Sequence, residues 1–159
     1  MKNLYLDANF LIAILVGGHE FHDKAVELLT IILNSETGYN LIISTLTLDE
    51  VWAHTMPYTY PNPEKNPTRY SSFAEEFQNM VLKLLSHQKF MLIPIDSPKQ
   101  IFEKAIGGSK SYNLKPRDAF HYALASFYQA SIVTFDSDFR FSKTDLEVIS
   151  GDEKGNKLS

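Results

Sequence analysis

Five acidic residues stand where a folded chain would concentrate negative charge: Asp7, Glu50, Asp118, Asp136 and Asp138. Asp7 closes the short apolar segment Asn3-Leu4-Tyr5-Leu6, and Asp136 and Asp138 follow the β-branched and aromatic run Ile132-Val133-Thr134-Phe135. Glu50 comes a few residues after Leu41-Ile42-Ile43-Ser44, and Asp118 opens the segment that leads to Ile132. In an open parallel sheet, ligands bind beyond the carboxyl ends of the strands, because loops and helix starts converge there. If these apolar runs are strands of one sheet, four separate segments deliver carboxylates to the same edge. Carboxylates crowded within ~4–6 Å repel one another, so such a cluster calls for a cation. Oxygen-only ligands favour Mg²⁺ or Mn²⁺; zinc normally recruits His or Cys, and the chain has no Cys and no His-Glu-x-x-His pair. One or two such ions on a phosphodiester polarise the phosphoryl oxygen, lower the pKa of an attacking water and steady the departing oxygen. The acids therefore predict hydrolysis of a phosphate ester.

Each acid also has a plainer explanation. Asp7 suits a turn or helix cap, Glu50 and Asp118 near helix starts favour the macrodipole, and Asp136 with Asp138 makes a polar turn before Phe139. Capping accounts for them singly; it does not account for four segments converging on one sheet edge. His121 lies one turn after Asp118 and His54 one turn after Glu50. Packing beside the acids suits His121 better than direct ligation, given the preference of these metals for oxygen. His19, His22 and His87 read as surface residues. Ser44 and Thr45 are placed either to bond a catalytic carboxylate or scissile phosphate, or simply to cap a helix. Lys115, Arg117, Arg140 and Lys143 are the cations nearest the acids in sequence and are suited to holding phosphates.

Positioning these side chains takes strands alternating with helices. Asn3–Leu6, Asn40–Ser44, Phe90–Ile95 and Ile132–Phe135 read as buried strands, with Glu147–Ile149 as a fifth. Helices are expected over Asn9–Leu15, Phe21–Asn34, the segment around Leu48, Val51 and Trp52 capped by Thr45 or Thr47, and Phe73 to Ser86. A further helix through Ile101, Ala105 and Ile106 should close at Gly107-Gly108, and another opens at Pro116. Pro57, Pro61, Pro63 and Pro67, with Tyr58 and Tyr60 among them, mark 56–70 as a long loop. The alternation implies an α/β protein with right-handed crossovers and a mainly parallel sheet covered by helices on both faces.

Composition bounds the rest. At ~150 residues per domain, 159 residues give one domain over 1–150, with a polar and mobile tail from Gly151 to Ser159. The chain is 44% hydrophobic and 21% charged, which argues against intrinsic disorder. Fifteen Lys and Arg against nineteen Asp and Glu give a net charge of −4, so no broad basic surface serves a nucleic acid and any phosphate must meet local cations. The absence of Cys excludes disulfides, thiolate nucleophiles and Cys-ligated metals. The longest apolar run, Phe10 to Val16, falls far short of the ~20 residues that span a bilayer, and Asp7 interrupts any signal peptide. A soluble cytoplasmic protein without membrane contact is expected.

Four stretches together resemble the PIN domain, in particular the VapC-type ribonuclease toxins. They are Leu4-Tyr5-Leu6-Asp7-Ala8-Asn9, Ser44-Thr45-Leu46-Thr47-Leu48-Asp49-Glu50-Val51, Pro116-Arg117-Asp118-Ala119-Phe120-His121-Tyr122-Ala123-Leu124-Ala125 and Ile132-Val133-Thr134-Phe135-Asp136-Ser137-Asp138-Phe139. The resemblance spans Leu4 to about Ile149 and rests on the order and spacing of the motifs. It implies a three-layer α/β/α sandwich and an Mg²⁺- or Mn²⁺-dependent endoribonuclease, often a homodimer restrained by a cognate antitoxin. Asp7, Glu50, Asp118 and Asp136 take the places of the family's acidic quartet. Asp138 is an alternate or fifth member, and Asn9 and Thr45 occupy the polar positions beside the quartet. The 56–70 segment is longer than in the smallest toxins.

With no pair of histidines to act as general base and acid, water rather than the ribose 2′-hydroxyl is the expected nucleophile, leaving a 5′-phosphate and a 3′-hydroxyl. Two other readings compete. Phosphatases and receiver-like domains also gather Asp at strand ends, but a haloacid-dehalogenase phosphatase would want an Asp where Asn9 stands. A binding module would use its acids only as caps and its Tyr-rich segment as an interaction surface.

Overall fold

The apolar runs pair into one sheet of five parallel strands, ordered β3-β2-β1-β4-β5. The strands are β1 (Lys2–Leu6), β2 (Tyr39–Ser44), β3 (Phe90–Ile93), β4 (Ala130–Val133) and β5 (Val148–Ile149). Among the described residues seven helices accompany them: α1 (Ala8–Leu15), α2 (His22–Asn34), α3 (Thr45–Thr59), α4 (Thr68–Leu85), α5 (Pro98–Tyr112), α6 (Pro116–Phe127) and α7 (Ser137–Phe141). The computed structural model describes residues 1–36, 38–59, 68–94, 98–141 and 143–150. The polar tail expected over 151–159 lies outside them. No helix among the described residues is long and apolar enough to cross a membrane.

Period-two alternation along the central strand builds a core on each face of the sheet. Leu4 and Leu6 of β1, with Leu41 and Ile43 of β2, pack against Phe10 and Leu11 of α1, Leu28 of α2, Val51 of α3 and Phe73 of α4. Tyr5 and Ile42 face the other way, against Ile101 of α5 and Tyr122, Ala123 and Leu124 of α6. Helices thus cover both faces, as the three-layer α/β/α expectation requires.

Five local expectations are corrected. The helix through Ile101 does not close at Gly107-Gly108 but runs to Tyr112. A Cβ on Gly108 would lie 2.6 Å from the Tyr122 ring, so this glycine serves the close approach of α5 to α6 and not a helix stop. Gly108→Ala should therefore destabilise by about 1–3 kcal/mol through overpacking, although alanine is the better helix former, as read by denaturant unfolding. The loop expected over 56–70 is helical at both ends, because α3 continues through Pro57 to Thr59 and α4 begins at Thr68. Pro57 therefore lies within α3 and does not end it. Residues 60–67 lie outside the described residues.

The fourth strand covers Ala130–Val133; the Thr134 N–H still donates to the Ile149 carbonyl of β5, while the Thr134 hydroxyl and the Phe135 N–H turn toward the end of β1. The third ends at Ile93, and Ile95 lies outside the described residues. The cap of α3 is neither Thr45 nor Thr47: the Thr47 N–H donates to Ser44 Oγ at 3.1 Å.

Candidate active site

The chain winds outward from β1 through β2 to β3, then returns to lay β4 on the other side of β1. Connections leave adjacent strands in opposite directions at that boundary and open a crevice at their carboxyl ends. Asp7 directly follows β1 and stands at the N-cap of α1, yet its side chain makes no capping bond. It is 5% exposed, and Thr134 Oγ1 donates to its Oδ2 at 2.7 Å. Asn9 Oδ1 accepts from the Phe135 N–H at 3.0 Å and lies 3.0 Å from Thr134 Oγ1. The Asp136 N–H donates to Thr134 Oγ1 at 2.9 Å, and the Asp138 N–H donates to Asp136 Oδ1 at 2.8 Å. This polar ladder holds the turn after β4 against the end of β1.

The remaining acids arrive on helices. Asp118 sits in the first turn of α6, and one carboxylate oxygen each of Asp118, Asp136 and Asp138 lie within 4.8 Å of one another. Glu50, from α3, has its Oε1 3.4 Å from His121 Nε2 and 3.6 Å from Arg117 Nε. His121 Nε2 also lies 3.6 Å from Asp7 Oδ1, so this ring, 1% exposed, stands between the two carboxylates. Lys115 pairs with Asp138 at the exposed rim.

Electrostatics follow from the crowding. Burial, then the Asp136 and Asp7 charges, push the Asp118 carboxyl up to about 6. Burial also raises Asp7, against the opposing pull of His121 and the Thr134 hydrogen bond. For Glu50, burial is outweighed by His121 and Arg117, which hold it below the usual carboxylate range. Burial would lower His121, but Glu50 and Asp7 outweigh it and raise the imidazole. Glu50 Oε1 and Asp118 Oδ2 are buried without a hydrogen-bond partner. Buried carboxylate oxygens without a hydrogen bond are costly, and an all-oxygen set of this kind fits a hard divalent cation.

The fold therefore brings Asp118, Asp136 and Asp138 into one cluster and links Asp7 to Glu50 through His121. Thr45 is exposed, while its neighbours Ser44 and Thr47 make the buried hydrogen bonds. His54 is exposed, with Nδ1 2.9 Å from the Glu50 carbonyl. Lys143 is exposed, and the Arg140 side chain lies outside the described residues. His22, expected at the surface, is half-buried with Nδ1 2.8 Å from the Ala13 carbonyl, because α1 and α2 pack closely there. Sequence reasoning missed Thr134 and Tyr5, although a hydroxyl inside each apolar strand segment was the available signal. Thr134→Val removes the donor to Asp7 and the acceptor for the Asp136 N–H, and should cost about 1–3 kcal/mol in unfolding measurements.

The chain has relatives at the level of family and fold. A family model described as PIN domain matches residues 4–145. No curated protein matches the chain. Among solved structures, a toxin–antitoxin complex from Klebsiella pneumoniae superposes with a TM-score of 0.62 at 20% identity, covering 93% of this chain and 97% of the other. Mycobacterium tuberculosis VapC20, a sarcin-ricin loop cleaving toxin, gives 0.61 at 16% identity over 88% and 95%. FitAcB from Neisseria gonorrhoeae gives 0.64 at 18% identity over 93% and 97%. At these identities the likeness is one of fold.

Proposed function

The chain belongs to the PIN domain family, and on that basis we propose that it is an Mg²⁺- or Mn²⁺-dependent endoribonuclease, the toxin of a type II toxin–antitoxin pair. PIN domains are nucleases. The observation that supports the metal site is the cluster of Asp118, Asp136 and Asp138 at the sheet edge, with Asp7 and Glu50 joined beside it through His121 and with Asp118 Oδ2 buried without a hydrogen-bond partner. The toxin assignment draws on the Klebsiella pneumoniae toxin–antitoxin complex and the VapC20 toxin among the similar folds. A cognate antitoxin, a homodimeric state, a single domain over 1–150 and a cytoplasmic location belong to the same proposal.

Asp7, Glu50 and Asp118 would hold the cation, with Asp136 or Asp138 completing the site or serving a second ion. A divalent ion bound there would polarise a phosphoryl oxygen and lower the pKa of an attacking water. The chain's own residues do the rest. Thr134 and Asn9 fix the turn that carries Asp136. Arg117 and Lys115, exposed beside Glu50 and Asp138, are placed to hold the phosphates flanking the scissile bond. No histidine pair is arranged as base and acid, so the ribose 2′-hydroxyl is not activated. Water attacks phosphorus and the 3′-oxygen departs, leaving a 5′-phosphate and a 3′-hydroxyl.

Incubating the purified protein with mixed structured RNAs, in Mg²⁺, Mn²⁺ or chelator, tests this reading. Cleavage should require the metal and yield 5′-phosphate ends. A 2′,3′-cyclic phosphate as the primary product would contradict the mechanism.

A further inference from the structure

The Tyr5 hydroxyl is buried at the centre of the molecule, where an aliphatic side chain would be the simpler choice for a strand enclosed on both faces. Its oxygen lies 2.8 Å from His121 Nδ1, 2.7 Å from Ser44 Oγ and 3.2 Å from Thr47 Oγ1. Ser44 Oγ and Thr47 Oγ1 are themselves 3.0 Å apart, and Thr47 Oγ1 donates to the Leu6 carbonyl at 3.4 Å. A hydroxyl cluster anchored on the backbone of β1 and the start of α3 thus ends on one nitrogen of the His121 ring. The other nitrogen, Nε2, meets only acceptors, Asp7 Oδ1 and Glu50 Oε1. Those two acids come from different elements, α3 and the end of β1, and His121 is the group that touches both.

We propose that Tyr5 is a positioning residue: by holding Nδ1, it locks the His121 ring with its Nε2 edge toward Asp7 and Glu50, and so sets the carboxylates for the cation. A phenol both donates and accepts, so it satisfies Nδ1 whether or not that nitrogen carries a hydrogen. Phenylalanine does neither, and its substitution frees the ring while conserving the volume of the core. The proposal rests on the metal-site reading for its consequence, but the 2.8 Å contact of the Tyr5 hydroxyl with His121 Nδ1 is a separate fact of geometry. Groups that orient the ligands of a metal typically change its affinity by about 10–100-fold when lost, and Tyr5→Phe should weaken Mn²⁺ binding within that range.

The test compares wild type, Tyr5→Phe and Ser44→Ala in the full chain, by Mn²⁺ titration calorimetry and by long-range ¹H–¹⁵N spectra of the His121 ring. Ser44→Ala breaks the same hydroxyl cluster but spares the bond to His121, so it controls for a merely structural role. Tyr5→Phe should weaken Mn²⁺ and shift the His121 nitrogens, whereas Ser44→Ala should lose stability with Mn²⁺ affinity near wild type. Unchanged ring signals and affinity in Tyr5→Phe overturn the proposal, as does equal weakening by Ser44→Ala. If wild type binds no Mn²⁺, the metal-site reading fails, and the ring spectrum alone decides whether Tyr5 positions His121. Should Tyr5→Phe not fold, a slowly exchanging His121 ring N–H in wild type supports the lock, and a rapidly exchanging, flipping ring overturns it.

Discussion

Asp7→Asn should reduce cleavage by about a hundredfold or more, a loss at least as large as removing a group that merely supports a ligand, while the metal-free protein melts no lower than wild type. Asp7 is buried and its carboxyl is raised by desolvation, so its negative charge strains the fold when no cation is present. The amide is nearly isosteric, still accepts from Thr134 Oγ1, and removes that charge. Activity and stability therefore move in opposite directions, which separates a ligand from a structural residue. Asp118→Asn should behave similarly. Full activity of Asp7→Asn in metal-replete buffer would remove Asp7 from the site.

Mg²⁺ or Mn²⁺ should raise the melting temperature by several degrees at pH 7.5 and hardly at all at pH 5. Binding to the native state alone contributes roughly 2.7 kcal/mol at a hundredfold excess over Kd, and that binding needs ionised carboxylates. Asp118 titrates at about 6 in the fold, above its ordinary value, so the folded chain holds this proton after the unfolded chain has released it. Its contribution without metal is fully present at low pH and is lost as pH rises through about 6. His121, also raised, acts in the same direction: its contribution is complete below the ordinary histidine range and disappears as pH climbs through its higher folded value. Glu50, held low, acts oppositely, with stability present above its ordinary value and lost as pH falls through the folded one. Between roughly pH 5 and 7 the first two should prevail, and the metal-free protein should lose stability as pH rises while the metal-loaded protein gains it. Differential scanning calorimetry across that range, with metal or chelator, reads both slopes. Parallel slopes in the two conditions would count against a cation among these acids.

Asp7, Asp136 and Asp138 were legible because they follow apolar runs, and Glu50 and Asp118 because they stand near the starts of helical segments; the parallel α/β class followed from the alternation of such runs with helical periodicity. Asp118, Asp136 and Asp138 then needed only a shared sheet edge to meet. Other elements misled for local reasons. Gly107-Gly108 looks like a helix stop in one dimension, whereas Gly108 is small because the Tyr122 ring crosses there. Pro57 looks like a loop, yet the last turn of α3 absorbs it. Thr45 and Ser44 were interchangeable by pattern, and only packing turned Ser44 inward and left Thr45 exposed.

Residue types and their order by themselves determined the α/β architecture and the acids available to it, because burial periodicity and strand-end chemistry are written locally along the chain. The tertiary structure alone decided which side chains share the crevice: Thr134 on Asp7, His121 between Asp7 and Glu50, and Tyr5 behind His121. Those contacts join residues more than a hundred positions apart or on different layers, and their distances depend on strand order and register, which no local pattern specifies.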